Sequence, residues 1–141
     1  MITDKLSVFC DGGARGNPGP AAVGFVVFQN NRIVHKFSKR IGETTNNVAE
    51  YRAVIAALEW LSKNYPIIQS SNQLINFYLD SQLVVNQLNG NFKIKNSNLQ
   101  KLIVRAKSLE RKVSRKISYS YVSRRKNKIA DALVNQALNG L

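Results

Sequence analysis

The sequence predicts an α/β fold: a mixed five-stranded sheet, three antiparallel strands followed by parallel crossovers, with helices on both faces, in one domain spanning residues 1–141. Three observations predict it. Three strand-like runs come first, joined by turn-rich segments too short for a crossover, as in an antiparallel meander. Helical periodicity takes over at Asn46. Beyond it, apolar strand-like runs are separated by helical ones, the order that makes parallel crossovers.

Leu6 to Asp11 is the first strand signal. The glycine- and proline-rich loop Gly12 to Pro20 separates it from the second, Ala21 to Phe28. Arg32 to Ile41 is the third, with Ile33, His35 and Phe37 on one face and Val34, Lys36 and Ser38 on the other; Gln29-Asn30-Asn31 reads as the hairpin turn before it. Val48, Tyr51, Ile55, Leu58 and Leu61 form the apolar face of a helix from Asn46 to near Asn64, stopping before Pro66. Leu74 to Leu79 is nearly all apolar, which predicts a strand buried on both faces. A short helix runs from Ser81 to about Leu88 and ends at Asn89-Gly90. Leu99, Leu102, Ile103, Ala106, Leu109 and Val113 mark an amphipathic helix with a basic outer face. Ile117 to Val122 alternates as the fifth strand, and Ile129 to Leu138 is the last helix.

Twenty-one basic residues stand against 8 acidic ones, a net charge of +13, and the basic residues crowd the last third of the chain. That balance points to a polyanionic partner, nucleic acid before an anionic membrane surface. One cysteine, Cys10, excludes a disulfide framework and a cysteine-rich metal site; within its apolar run it reads as a small buried hydrophobe. No apolar run approaches the roughly 18 residues of a membrane span, and Met1 to Lys5 lacks the start of a secretory leader. A monomeric, cytoplasmic protein that does not engage membranes is the expectation.

Against this basic background, four of the acids hold unusual positions: Asp11 late in the first strand beside a glycine pair, Glu50 early in the first helix, Asp80 at the end of a strand, and Asp131 near the start of the last helix. Each has an ordinary reading. Asp80 and Asp131 suit helix starts, Asp11 suits a turn, and Glu50 suits a surface. Together they suit something else, because ligands in open α/β sheets gather at the carboxyl ends of strands. Four converging carboxylates repel unless cations neutralise them, and two hard divalent cations there would clamp a scissile phosphate and activate a water.

In this order of elements, these residues resemble type 1 ribonuclease H. The segments that carry the resemblance are Asp11-Gly-Gly-Ala-Arg-Gly-Asn-Pro-Gly-Pro20, Thr44-Thr-Asn-Asn-Val-Ala-Glu50, Asp80-Ser-Gln-Leu-Val84 and Arg124-Arg-Lys-Asn-Lys-Ile-Ala-Asp131, spread over nearly the whole chain. The resemblance implies a ribonuclease H-like fold and an endonuclease that cuts the RNA strand of RNA–DNA hybrids, leaving 5′-phosphate and 3′-hydroxyl ends. It implies that Asp11, Glu50, Asp80 and Asp131 are both catalytic and metal-binding, holding two Mg²⁺ ions with substrate bound, with Mn²⁺ as a substitute. It also implies substrate contacts from Gly12, Asn17, Thr45, Asn46, Asn47, Gln82, Arg124 and Asn127, the asparagines Asn17, Asn46 and Asn47 with Gln82 in the minor groove and Thr45 at a DNA phosphate. Sensing of 2′-hydroxyls is physically apt, since that group distinguishes RNA from DNA.

Two departures from the family pattern stand out. Many members carry a histidine ahead of the last carboxylate, whereas the one histidine here, His35, lies in the third strand and Arg124 occupies the corresponding region. Arginine stays protonated and cannot act as a base, so the chain resembles the histidine-lacking subgroup known from archaea and some bacteria. Some members also insert a basic protrusion where this chain has only Asn89 to Ser97. Lys93, Lys95, Lys101 and Arg105 are the expected auxiliary basic surface in its place. No hybrid-binding module precedes the catalytic segments, and the start at Met1 and the end soon after the last helix fit a standalone protein, with a domain cut from a reverse-transcribing polyprotein as the alternative. Two rival readings share the fold: a nuclease for double-stranded RNA or RNA–DNA junctions, and a nucleic-acid binding module without catalysis. Acids left unneutralised beside phosphate argue against the second.

Overall fold

In the computed structural model, residues 5–65, 74–91, 93–113 and 115–140 are described; Met1 to Asp4, Pro66 and Phe92 lie outside them. Among the described residues, five strands form one sheet in the order β3-β2-β1-β4-β5: β1 Leu6–Ala14, β2 Gly19–Gln29, β3 Arg32–Thr44, β4 Leu74–Leu79 and β5 Lys116–Tyr121. β1, β2 and β3 pair antiparallel, and β1–β4 and β4–β5 pair parallel. The helices are α1 Asn46–Asn64, α2 Gln82–Leu88, α3 Ser97–Glu110 and α4 Lys128–Leu138, the last preceded by a 3-10 turn at Arg124–Lys126.

Local chemistry sets these boundaries. Asn30 and Asn31, with φ of 51° and 70°, form the two-residue turn between β2 and β3, and asparagine is among the few residues that accept that conformation. Thr45 caps α1 by accepting from Val48 N, Ser81 caps α2 by accepting from Val84 N, and Asn96 caps α3 by accepting from Leu99 N.

Four sequence expectations need correction. The first strand does not stop at Asp11, because Gly12, Gly13 and Ala14 continue the ladder with Val23, Ala22 and Ala21. The second and third strands are longer than their apolar runs for the same reason, reaching Gly19 and Thr44. A bulge at Val27/Phe28 pairs Ile33 with Phe28 and His35 with Val27, so Ile33 does not share a face with His35 and Phe37. β4 is not buried on both faces: Ile75, Phe77 and Leu79 are buried, while Leu74, Asn76 and Tyr78 are not. Its apolar composition overstated its cover because, among the described residues, no helix lies over that half of the second face.

The first face carries the main core, built from Val8, Phe25, Ile75 and Phe77 of the sheet against Tyr51, Leu58 and Leu61 of α1, with Leu88 of α2 and Leu109 of α3 closing it. Each such side chain contributes roughly 1.5–3 kcal/mol by leaving water. The second face is covered only in part, where Val134 and Ala137 of α4 meet Ala22.

Two glycines let the helices reach the backbone of the central strands. A Cβ on Gly12 would lie 2.2 Å from the Ala49 carbonyl oxygen, so α1 rests directly on β1. A Cβ on Gly24 would lie 2.8 Å from Leu133 Cβ and 2.9 Å from the Ala130 carbonyl oxygen, so α4 rests on β2. Substituting Gly12→Ala is therefore expected to destabilise the protein by about 2 kcal/mol or more, since backbone must move to admit one methyl. Gly13→Ala, whose Cβ would meet Val134 Cγ1 at an ordinary 3.8 Å, is expected to change stability far less. Urea unfolding of both variants decides it, and equal midpoints would disprove the close contact at Gly12.

Candidate active site

Asp11 is paired with Gly24 across β1–β2, which aims it at the second face, toward α4. The parallel ladder sets Phe9 beside Tyr78, and Asp11 and Asp80 each stand two residues further along, level with one another and on the same side. The Gly12–Ala49 contact brings Glu50 in with the first turns of α1, and the Gly24–Ala130 contact brings in Asp131 with α4. All four carboxylates line one open cleft of about 300 Å³, with Arg15, Asn46, Arg124 and Asn135 around it.

Their electrostatics record the crowding. Asp11 is pushed up from 3.8 to about 8, by burial first and then by the charges of Asp80, Asp131 and Glu50, against a lowering hydrogen bond from the Gly12 backbone. Burial raises Glu50 from 4.5 to about 7; the Ser81 hydroxyl and the positive charge of Arg124 pull it down, and Asp80 pushes it up. One oxygen of Glu50, Oε2, is buried without a hydrogen-bond partner. Among the described residues no three histidine, cysteine, aspartate or glutamate side chains are already gathered around a point that could hold an ion. Mutual repulsion is a sufficient physical reason for acids to stay spread across a cleft. The donor set itself fits hard divalent cations: carboxylates only, two of them, Asp11 and Glu50, raised by burial and by neighbouring acids, with an unpartnered buried oxygen among them.

Neighbouring side chains fix these acids. Asn127 Nδ2 donates to the Cys10 carbonyl at 2.8 Å and, at 3.4 Å, to Asp80 Oδ2. It is 1% exposed, so its part is to tie β1, β4 and the start of α4 together, which corrects its expected role as a substrate contact. Gly12 is corrected likewise, since it is buried and its lack of a side chain serves the approach of α1. Asn135 Nδ2 reaches Asp131 Oδ2 at 3.4 Å, one helical turn away.

The other expected substrate residues divide by position. Asn17 Oδ1 accepts from Asn46 N at 3.0 Å, and Asn46 Oδ1 accepts from Ala14 N at 2.9 Å, so both asparagines hold loop, helix and strand together while their amide donors stay available. Asn17, Thr45 and Asn47 line a second polar cavity of about 330 Å³, into which the capped starts of α1 and α3 both open. Gln82 is exposed at the first turn of α2. Lys93, Lys95 and Lys101 are exposed and beyond both cavities, whereas Arg105 pairs with Glu59 at 3.3 Å, which offsets its charge. His35 stacks on Trp60 at 4.6 Å, away from the carboxylates.

Sequence reasoning missed several contributors. Gly24 had a signal, an isolated glycine in an apolar strand, which marks close backbone approach. Ser81 had one too, as a helix cap whose hydroxyl proton is left free for Glu50. Asn96 and Asn98 had none, because nothing local says that the start of α3 faces the start of α1.

Comparison with known proteins agrees with this geometry. Residues 9–137 match the family described as reverse transcriptase-like. A bifunctional protein of Mycobacterium tuberculosis is 39% identical over 137 residues, covering 96% of this chain and 36% of its own length. The chain thus spans about a third of the first curated relatives it matches. The type 1 ribonuclease H of Halobacterium salinarum superposes with a TM-score of 0.86 at 39% identity, covering 97% of this chain and 99% of that one. A second one, LC11, solved in complex with an RNA/DNA hybrid, superposes with a TM-score of 0.90 at 37% identity, covering 96% and 98%. In fold and in sequence, the chain belongs to the reverse transcriptase-like family and, within it, to the type 1 ribonucleases H.

Proposed function

We propose that this protein is an endonuclease that hydrolyses the RNA strand of RNA–DNA hybrids, leaving 5′-phosphate and 3′-hydroxyl ends. The observation that carries it is the convergence of Asp11, Glu50, Asp80 and Asp131 in one open cleft of a chain at net +13. The four would hold two Mg²⁺ ions, or Mn²⁺ in their place, which supply activation of the attacking water and neutralisation of charge on the phosphate. Residues 1–141 would act as one catalytic domain and as a monomer. A single buried, free cysteine supports a cytoplasmic setting, and no helix among the described residues is long and apolar enough to cross a membrane.

The residues divide the work. Ser81 and Asn127 orient Glu50 and Asp80 before substrate arrives. Arg124, on the cleft rim and close enough to stabilise ionised Glu50, offers a fixed positive charge to a phosphate and moves no proton. Thr45 accepts from Val48 N, which leaves its own hydroxyl hydrogen for a phosphate of the DNA strand seated between the two helix starts. The free amides of Asn17 and Asn46, with Asn47 and Gln82, suit minor-groove base edges and 2′-hydroxyls. The test is cleavage of uniform hybrid, double-stranded RNA, duplex DNA and a hybrid with a single ribonucleotide, with Mg²⁺, with Mn²⁺ and with chelator. Hybrid is the expected substrate; preferential cutting of double-stranded RNA would overturn that choice.

Asp11→Asn and Asp80→Asn are expected to abolish hydrolysis with the fold intact. Arg124→Ala is expected to lower it only in part, and less in a single turnover than in steady state. Hybrid cleavage within threefold of the parent by either aspartate variant refutes the assignment.

The raised carboxylates give a pH dependence with a definite sign. Asp11 and Glu50 bind protons more tightly folded than unfolded, so in chelator the stability these two groups contribute is full below about pH 4 and is lost as pH rises through about 7 and 8. Divalent cation, which needs the ionised forms, should restore stability more at pH 8 than at pH 5. Thermal melts at both pH values, with and without Mg²⁺, measure it; Asp11→Asn should flatten the slope.

Hybrid affinity should fall steeply with salt. Replacing Lys93 and Lys95 together is expected to reduce the slope of log affinity on log salt by about 0.9 per lost contact. Hybrid and duplex DNA should weaken alike. An unchanged slope would place the grip on Arg111 to Lys128 instead.

A further inference from the structure

α4 covers only the end of the second sheet face near the carboxylates, and the remainder is built unlike a solvent-facing surface. Phe9 and Tyr78 stack there with centroids 4.8 Å apart, and Phe28 meets Phe9 edge-on at 5.7 Å. On its other side Tyr78 is paired with Ser120, whose side chain is too small to cover the ring. Two grooves share the floor of Phe9 and Phe28. One, of about 230 Å³, is walled by the segment from Arg125 to Ile129; the other, of about 300 Å³, is bounded by Lys5 and Tyr78. Among the described residues lining either groove none is acidic, and Lys5, Arg125, Lys126 and Lys128 stand exposed on the rim.

We propose that this face binds single-stranded nucleic acid, RNA or DNA, running on from the end of a duplex held at the cleft. Aromatic rings beside a basic rim are the parts such a strand needs: base stacking, which is indifferent to sequence, and phosphate neutralisation. Continuity supports it, because Arg124 lines the carboxylate cleft and the next residues, Arg125 to Ile129, wall the first groove. A strand passing Arg124 meets Phe9 and Phe28 next. An apolar protein partner would have no use for four cations and, among the described residues, no anion at the rim.

The inference rests on the hybrid reading for what occupies the cleft, and the experiment separates the two. Full-length protein in chelator is titrated with blunt hybrid, with the same hybrid bearing a ten-nucleotide single-stranded DNA or RNA extension at either end, and with the free single strand. An extension is expected to tighten binding roughly tenfold, about one stacked base. Tyr78→Ser and, separately, the exposed pair Lys126→Gln with Lys128→Gln should each remove that gain, leaving blunt-hybrid affinity and cleavage within twofold of the parent. The charge pair keeps the test sound should Tyr78→Ser perturb the sheet. A gain that survives either substitution overturns the proposal. No gain from any extension overturns it too, and hands the face to a protein partner. Failure to bind blunt hybrid, with the free strand still bound through Tyr78 and the lysines, would instead sink the hybrid reading and leave this one standing.

Discussion

The contact between the Gly12 position and the Ala49 carbonyl decides how close α1 comes to β1, and most of the site follows from that separation. With the helix backbone against the strand, Glu50 reaches the strand-end aspartates from the first face while Asp11 turns to the second. Were α1 held off by one side chain, Glu50 would retreat from Asp11, Ser81 would lose it, and the free amide groups of Asn46 would shift with the helix start. Gly24 repeats the arrangement on the opposite face for α4 and Asp131. Two glycines on adjacent inner strands, each pressed by a different helix, thus bring four carboxylates together in a cleft at the strand ends.

That cleft is costly in isolation. Desolvation and mutual repulsion hold Asp11 and Glu50 several pH units from their ordinary range, so the folded protein without cation carries stored electrostatic strain at neutral pH. The surrounding net charge of +13 relieves only a little of it, since Arg124 is the cation that bears on Glu50 and the lysines of the 93–101 stretch lie outside the cleft. The excess charge is arranged for a long anionic partner rather than for the carboxylates.

Much of this was legible in the residues. The order of elements along the chain, the meander and the crossovers followed from where period-two patterns give way to helical ones, and the acids stood out because so few others exist in the chain. What escaped was information that only tertiary contact supplies. Leu74 to Leu79 reads as doubly buried because composition reports apolar character, not whether a helix is overhead. Asn127 sits in the matching segment and reads as a substrate contact, yet its amide is spent on the Cys10 carbonyl and Asp80. The bulge after Val27 shifts Ile33 to the other face, and no residue there announces it.

Asp131 arrives on the last helix, and Asn127, just before that helix, clips it to strands formed at the other end of the chain. During synthesis the meander and α1 leave the ribosome long before α4 does. Asp11 and Glu50 then exist without Asp131, and Asp80, which follows with β4, stands without the amide of Asn127. The cleft is therefore complete only once α4 has docked, however early its other walls have formed.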